Sequence, residues 1–275
     1  MYSLLLSAAG DTLRILCIGN SFSIDAVEQE LIPLAEAHNV PLRVGNLYIP
    51  GCSLEQHANN AIAEANAYSY RELYAYVRNV YDSVSLQSAL VRDQWDIITF
   101  QQASHYSGIW ETYEPFLQIL IDTVKSYRPD ARLAWYQTWA YAADATHPGF
   151  ANYGNNQQLM YERIEQCTDS VIAHYSFDYL IPVGMAIQKA RQGRLGDTLC
   201  RDGFHLNFQY GRYLAACVWL ETLTGVRPHA KKHIFIPYYA YLKEFPDGIN
   251  NRQVRSAKTE RTCRRAADCR NLVRR

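Results

Sequence analysis

Leu13-Arg14-Ile15-Leu16-Cys17-Ile18-Gly19-Asn20-Ser21-Phe22-Ser23 is the stretch that decides the fold. Its first part is a nearly continuous apolar run, which reads as a buried strand. The run ends at Gly19-Asn20-Ser21, so polar groups sit where the strand stops. Asp25 to Ala37 follows with helical spacing, placing Val27, Leu31, Leu34 and Ala35 on one face.

The same alternation continues along the chain. Pro41 to Ile49 reads as a second strand, stopped by Pro50-Gly51. Ser53 to Ala65 reads as a helix, with Ser53 as N-cap and Gln56 at the capping-box position. Between residues 68 and 82, Tyr68, Tyr70, Tyr74 and Tyr76 share one parity, which suggests a small hairpin, with a helix as the alternative. Leu86 to Arg92 is a short helix, Trp95 to Phe100 a third strand, and Tyr113 to Tyr127 a helix closed by Pro129. Arg132 to Thr138 is a fourth strand, and residues 139 to 155 form a long loop. Asn156 to Tyr175 is a long helix, Tyr179 to Val183 a fifth strand, and Gly184 to Arg191 and Phe208 to Leu223 are further helices. Strands alternating with helices imply a five-stranded parallel sheet covered on both faces, an open α/β sandwich. Sites in such sheets gather at the C-terminal ends of the strands.

Composition sets the outer limits. A chain of 275 residues with 48% apolar residues can bury a substantial core. Lys+Arg and Asp+Glu both number 27, so net charge points to no nucleic-acid or other polyanionic partner. No run approaches the ~18–20 apolar residues of a membrane helix. The seven cysteines form no CxxC pair and no Cys/His cluster with zinc spacing, so no metal site is expected. Cys17 and Cys217 read as small core residues, and Cys263 and Cys269 are free to pair. Residues 1–12 resemble the back half of an export signal without its charged front. That favours a periplasmic or secreted location slightly over a cytoplasmic one. Residues 13–245 read as the folded domain. Within it, Ile234 to Phe245 is aromatic and punctuated by proline, and residues 246–275 form a polar, basic tail.

A second phrase, Asp202-Gly203-Phe204-His205, supplies what Ser21 lacks. A serine hydroxyl is a weak nucleophile until a base takes its proton. His205 offers that base, and Asp202, three residues away, can hold its ring in one local turn. Oxyanion donors are available at the same strand ends: the Ser21 N–H, the Gly51 N–H, and a side-chain amide from Gln101 or Gln102, between which the sequence does not choose. Ser23 is the rival serine and reads as a helix cap. His57, His105 and His147 are rival histidines without an acidic partner at local spacing. His105 follows the Gln pair and is expected to line the pocket with Asn20. Trp110, Trp139 and Tyr141 are candidates for a sugar platform.

These blocks resemble the SGNH (GDSL-type) hydrolase superfamily, and more narrowly its DUF4886-like bacterial branch, over roughly residues 13 to 225. The first block appears as Gly19-Asn20-Ser21, the second-block glycine as Gly51, and the Asp-x-x-His block as Asp202 and His205. The third block departs: Gln101-Gln102-Ala103-Ser104 replaces Gly-x-Asn-Asp. The resemblance implies a flavodoxin-like three-layer α/β/α sandwich, no metal or other cofactor, and hydrolysis of esters, often acetyl groups on carbohydrates. The expected partner is therefore a small-molecule or carbohydrate ester, with neither nucleic acid nor membrane. A non-catalytic sugar binder on a degenerate scaffold is the alternative, and the altered third block is its support. A flavin or phosphate binder fits poorly, because the loop after the first strand has no Gly- or Ser/Thr-rich cradle.

Overall fold

A computed structural model describes residues 12–75 and 77–228. The expectations for residues 1–11, Tyr76, Ile234 to Phe245, the 246–275 tail and the Cys263/Cys269 pair lie outside the described residues. The decisive stretch is a strand, β1 (Leu13–Gly19), whose last five residues are buried. It pairs in parallel with β2 (Leu42–Tyr48) on one side and β5 (Ile97–Phe100) on the other. β6 (Arg132–Tyr136) and β7 (Tyr179–Ile181) extend the sheet in parallel.

Among the described residues the sheet has seven strands, not five, in the order β4-β3-β2-β1-β5-β6-β7. The additional pair is the hairpin β3 (Tyr68–Tyr74) and β4 (Val77–Val84), which joins antiparallel at the β2 edge. Tyrosine parity in the sequence marks extended chain here. Tyr68 and Tyr70 are buried on the inner face of β3, and Arg92 covers the Tyr70 and Tyr81 rings. Periodicity does not encode which strand a hairpin joins, so the expectation stopped at the hairpin itself.

Residues of alternate parity feed two cores. Ile15, Cys17, Val44, Ala134 and Tyr136 face α1 (Ser21–Val27), α2 (Leu31–Ala37), α7 (Val183–Arg191) and α8 (Gly211–Thr224). Leu16, Ile18, Leu47, Ile98 and Trp135 face α3 (Leu54–Ile62), α4 (Leu86–Arg92) and α5 (Phe116–Tyr127). α6 (Gln157–His174) contributes Met160 and Ile164 to the first core and Cys167 and Val171 to the second. Cys17 and Cys217 are buried, as expected.

One expected helix is two. A single helix from Asp25 to Ala37 would place Pro33 in its interior, without an N–H for the turn before it. The chain instead breaks after Val27 and restarts at Leu31, so Pro33 falls in the first turn of α2, where no N–H is needed.

The five parallel strands alone run second-first-third-fourth-fifth across the sheet. The direction of winding therefore reverses between β1 and β5. In open α/β sheets ligands bind in a crevice at that switch point, beyond the carboxyl ends of both strands.

Candidate active site

Ser21 is the first residue of α1, directly beyond β1, and is half-buried. The residue before it organises the crevice. Asn20, 1% exposed, caps α1 by accepting from Phe22 N at 3.0 Å. The same oxygen accepts from Gln101 Nε2 at 2.8 Å, and Asn20 Nδ2 donates to Cys52 O at 3.0 Å. One amide thus ties together the loops after β1, β2 and β5. Asn20 is a cross-link between these loops. Ser23 is not the cap. It is buried one turn in, with Oγ 2.7 Å from Asn20 O and 2.8 Å from Asn46 Oδ1.

Asp202 and His205 close on each other. Asp202 Oδ1 accepts from the backbone N–H of His205 (2.7 Å) and of Phe204 (3.2 Å), and Oδ2 lies 2.7 Å from His205 Nδ1. Burial pushes the Asp202 carboxyl up, but these three donors outweigh it and hold it below the usual range. A carboxylate only accepts, so it fixes the ring proton on Nδ1 and leaves Nε2 as the basic nitrogen. Gly203 stands at φ +87°, and a Cβ there would come within 2.8 Å of Ala145 Cα, so the turn needs glycine.

The turn lies against the start of α1. The His205 ring meets Phe22, the residue after Ser21, edge-on at 6.0 Å between centroids. Phe22 stacks on Trp139 at 4.0 Å, and Trp139 Nε1 donates to Phe204 O at 2.7 Å. Trp139 is fully buried, so it braces the turn and offers no face to a sugar.

The two glutamines differ. Gln102 Oε1 accepts from Leu54 N (2.9 Å) and Ala103 N (2.8 Å), while its Nε2 donates to Thr112 O and Thr112 Oγ1 at 3.0 Å each. Its amide is fully committed to holding α3 against the 104–112 segment. Gln101 Nε2 gives Asn20 one hydrogen and has a second available. Gly51 takes the left-handed conformation, φ +62°, and a Cβ there would meet only open space. The glycine answers a backbone need.

With this geometry in place, the family follows from sequence. Residues 14–253 match the model of a domain of unknown function, DUF4886. The chain belongs to the DUF4886 family. A DUF4886 protein from Bacteroides uniformis is similar at 38% identity and a TM-score of 0.82, over 88% of this chain and 98% of that one. Further likenesses are a lipolytic G-D-S-L family member from Veillonella parvula (15% identity, TM-score 0.49, 78% of this chain and 100% of that one) and a family 3 carbohydrate esterase from Clostridium thermocellum (13%, 0.46, 77% and 95%). With TM-scores below 0.5, they decide nothing about the chemistry of this chain. No curated protein matches it in sequence.

The remaining candidates of this DUF4886 chain divide by position. His105 is half-buried, 5.8 Å from the His147 ring, which in turn lies 4.8 Å from Phe204 in the Asp-His turn. Burial pushes both His105 and His147 down, and each has a histidine neighbour that adds to the effect. Both therefore favour the neutral ring beside the turn. Trp110 is elsewhere: it stacks on Tyr113 at 5.2 Å and packs near His174 at the end of α6. It belongs to that packing, not to a platform at the crevice. His57 is buried with Nδ1 2.9 Å from Tyr68 Oη, and burial pushes its ring down to about 3. Beside Gly51, a surface cleft of about 250 Å³ runs past Tyr48, Pro50, Asn66 and Asp82. Among the described residues no group of three or more His, Cys, Asp or Glu side chains is placed to hold a metal ion.

Proposed function

We propose that this DUF4886 chain is a serine esterase of SGNH type, cleaving acyl esters, most simply acetyl, of a carbohydrate or small alcohol. The observation that carries the reading is the Asp202–His205 pair, joined at 2.7 Å and seated against Phe22 beside Ser21 at the switch point. In this reading His205 Nε2 takes the Ser21 proton as Oγ attacks the ester carbonyl. The oxyanion is met by the N–H groups of Ser21 and Gly51 and the second amide hydrogen of Gln101. Collapse expels the alcohol, protonated by His205, and leaves an acyl-serine. Water, deprotonated by the same imidazole, then releases the acid and restores Ser21. The cleft beside Gly51 gives the alcohol portion room, with Asn66 and Asp82 available to sugar hydroxyls.

The test is acetate release from p-nitrophenyl acetate and from acetylated xylan by wild type and Ser21→Ala. Wild type should turn over and the variant should lose at least ~10³-fold in kcat. Equal rates, or none in either protein, would sink the esterase reading.

A further inference from the structure

Asp25 lies on α1 one helical turn beyond Ser21 and is 1% exposed. Its carboxylate is bound from two other parts of the chain. Oδ2 accepts the backbone N–H of Leu206, the residue after His205, at 2.6 Å. Oδ1 accepts from Arg212 Nη2 of α8 at 2.5 Å and from Arg201 Nη1 at 3.1 Å. Arg201 completes a ring of bonds around the turn. Its backbone N–H donates to His205 O at 2.8 Å, and its Nη1 also donates to Leu206 O. The backbone on both sides of the imidazole is therefore pinned, and the pin is anchored on the helix that begins with Ser21.

Such an arrangement is an expensive way to hold a fold together. Burial pushes the Asp25 carboxyl up despite both guanidiniums, and pushes Arg212 down despite Asp25. Apolar side chains of similar volume would usually pack as stably. They would not fix one backbone N–H of the Asp-His turn relative to α1, which a directed charge-assisted bond does.

We propose that Asp25 is the positioning residue that sets the His205 imidazole against Ser21. The proposal rests on the esterase reading above. The charged and titratable groups facing His205 are Asp202 on its own turn, Asp25 on α1 with Arg201 and Arg212 around it, and His147 on the 143–147 segment. Anionic Asp25 attracts the protonated imidazole. A neutral residue there removes that attraction and leaves the two guanidiniums without their carboxylate.

The experiment compares wild type with Asp25→Asn and Arg201→Gln on p-nitrophenyl acetate, with circular dichroism to establish folding. For Asp25→Asn, kcat should fall about tenfold to hundredfold with KM nearly unchanged, because a displaced base costs rate and not binding. The acid limb of its kcat/KM profile should move to lower pH, which lost packing alone would not do. Folded Asp25→Asn with unchanged kcat and an unmoved acid limb would overturn the proposal. If Asp25→Asn does not fold, Arg201→Gln decides, since Arg201 is the more exposed partner and Arg212 still pairs with Asp25. It should lower kcat severalfold at constant KM, and wild-type kcat would overturn the proposal. Absence of Ser21-dependent hydrolysis in wild type would instead refute the esterase reading. The positioning claim would then be judged by a crystal structure of the folded variant. A His205 ring still 6.0 Å from Phe22 would refute it, and a displaced ring would support it.

Discussion

The two sides of the crevice are built from different forces. On the side of β1, β2 and β5, the loops are joined by neutral amides: Asn20, Gln101 and Gln102, all nearly fully buried. On the side of the Asp-His turn, the joints rest on carboxylates: Asp202 on the His205 ring, and Asp25 with Arg201 and Arg212. Neutral amides hold their geometry whatever the pH. Charged joints are stronger where buried, but they depend on protonation and on each partner being present. The amide side is thus fixed by shape, and the side of the Asp-His turn by charge.

The sharpest way to break this contrast is at the charged joint itself. Asp202→Asn should lower kcat by on the order of 10³–10⁴-fold, because an amide can stabilise the wrong ring tautomer and no imidazolium. Steady-state kinetics on p-nitrophenyl acetate measure this, and a loss below tenfold would detach Asp202 from the chemistry. Next in size is the amide side. Gln101→Ala should cost about 10²–10³-fold in kcat with the fold intact, the usual effect of removing one oxyanion donor. Its neighbour should behave oppositely. Gln102→Ala leaves the Leu54 N–H and the Thr112 groups without their partner, so it should cost about 1–3 kcal/mol of stability, seen in urea melts, with kcat changed only a few-fold. Similar kinetic losses in both variants would erase the distinction drawn between them.

The last expected effect concerns pH and stability. His57 is held at about 3, far below its unfolded value of roughly 6.5. Its folded form therefore refuses a proton that the unfolded chain accepts. Above pH ~6.5 it has no influence, and below that stability should fall by up to roughly 1.4 kcal/mol per pH unit until the folded ring titrates. Asp202 acts in the same direction but later, since its depressed carboxyl keeps its contribution down to more acidic pH. Urea titrations at pH 7 and pH 5 test this: His57→Gln should flatten the difference, and an equal slope in both proteins would contradict it.

What was legible in the sequence was what is local. The apolar run of β1, the capping Ser53 and the three-residue spacing of Asp202 and His205 all work within a few positions. The break before Pro33 was missed, because the apolar spacing from Asp25 to Ala37 runs through it, although proline's missing N–H is a property of one residue. What was hidden depends on the fold. Gln101 and Gln102 carry the same amide, and only the loop after β5 decides which is committed to Thr112. Trp139 sits in a loop, yet the crevice closes over it. Asp25 looks like an ordinary polar helix residue until Leu206, Arg201 and Arg212 arrive from the far end of the chain.

Among the described residues, the hairpin added at the β2 side leaves the sheet with an open margin at β4, where Val77, Val80 and Tyr81 are exposed. Such a margin is a template for another chain, and here charge is set among the apolar residues by Asp82 and by Arg78, which pairs with Glu28 at 2.9 Å. Concentrated salt screens those two charges while leaving the apolar side chains as sticky as before.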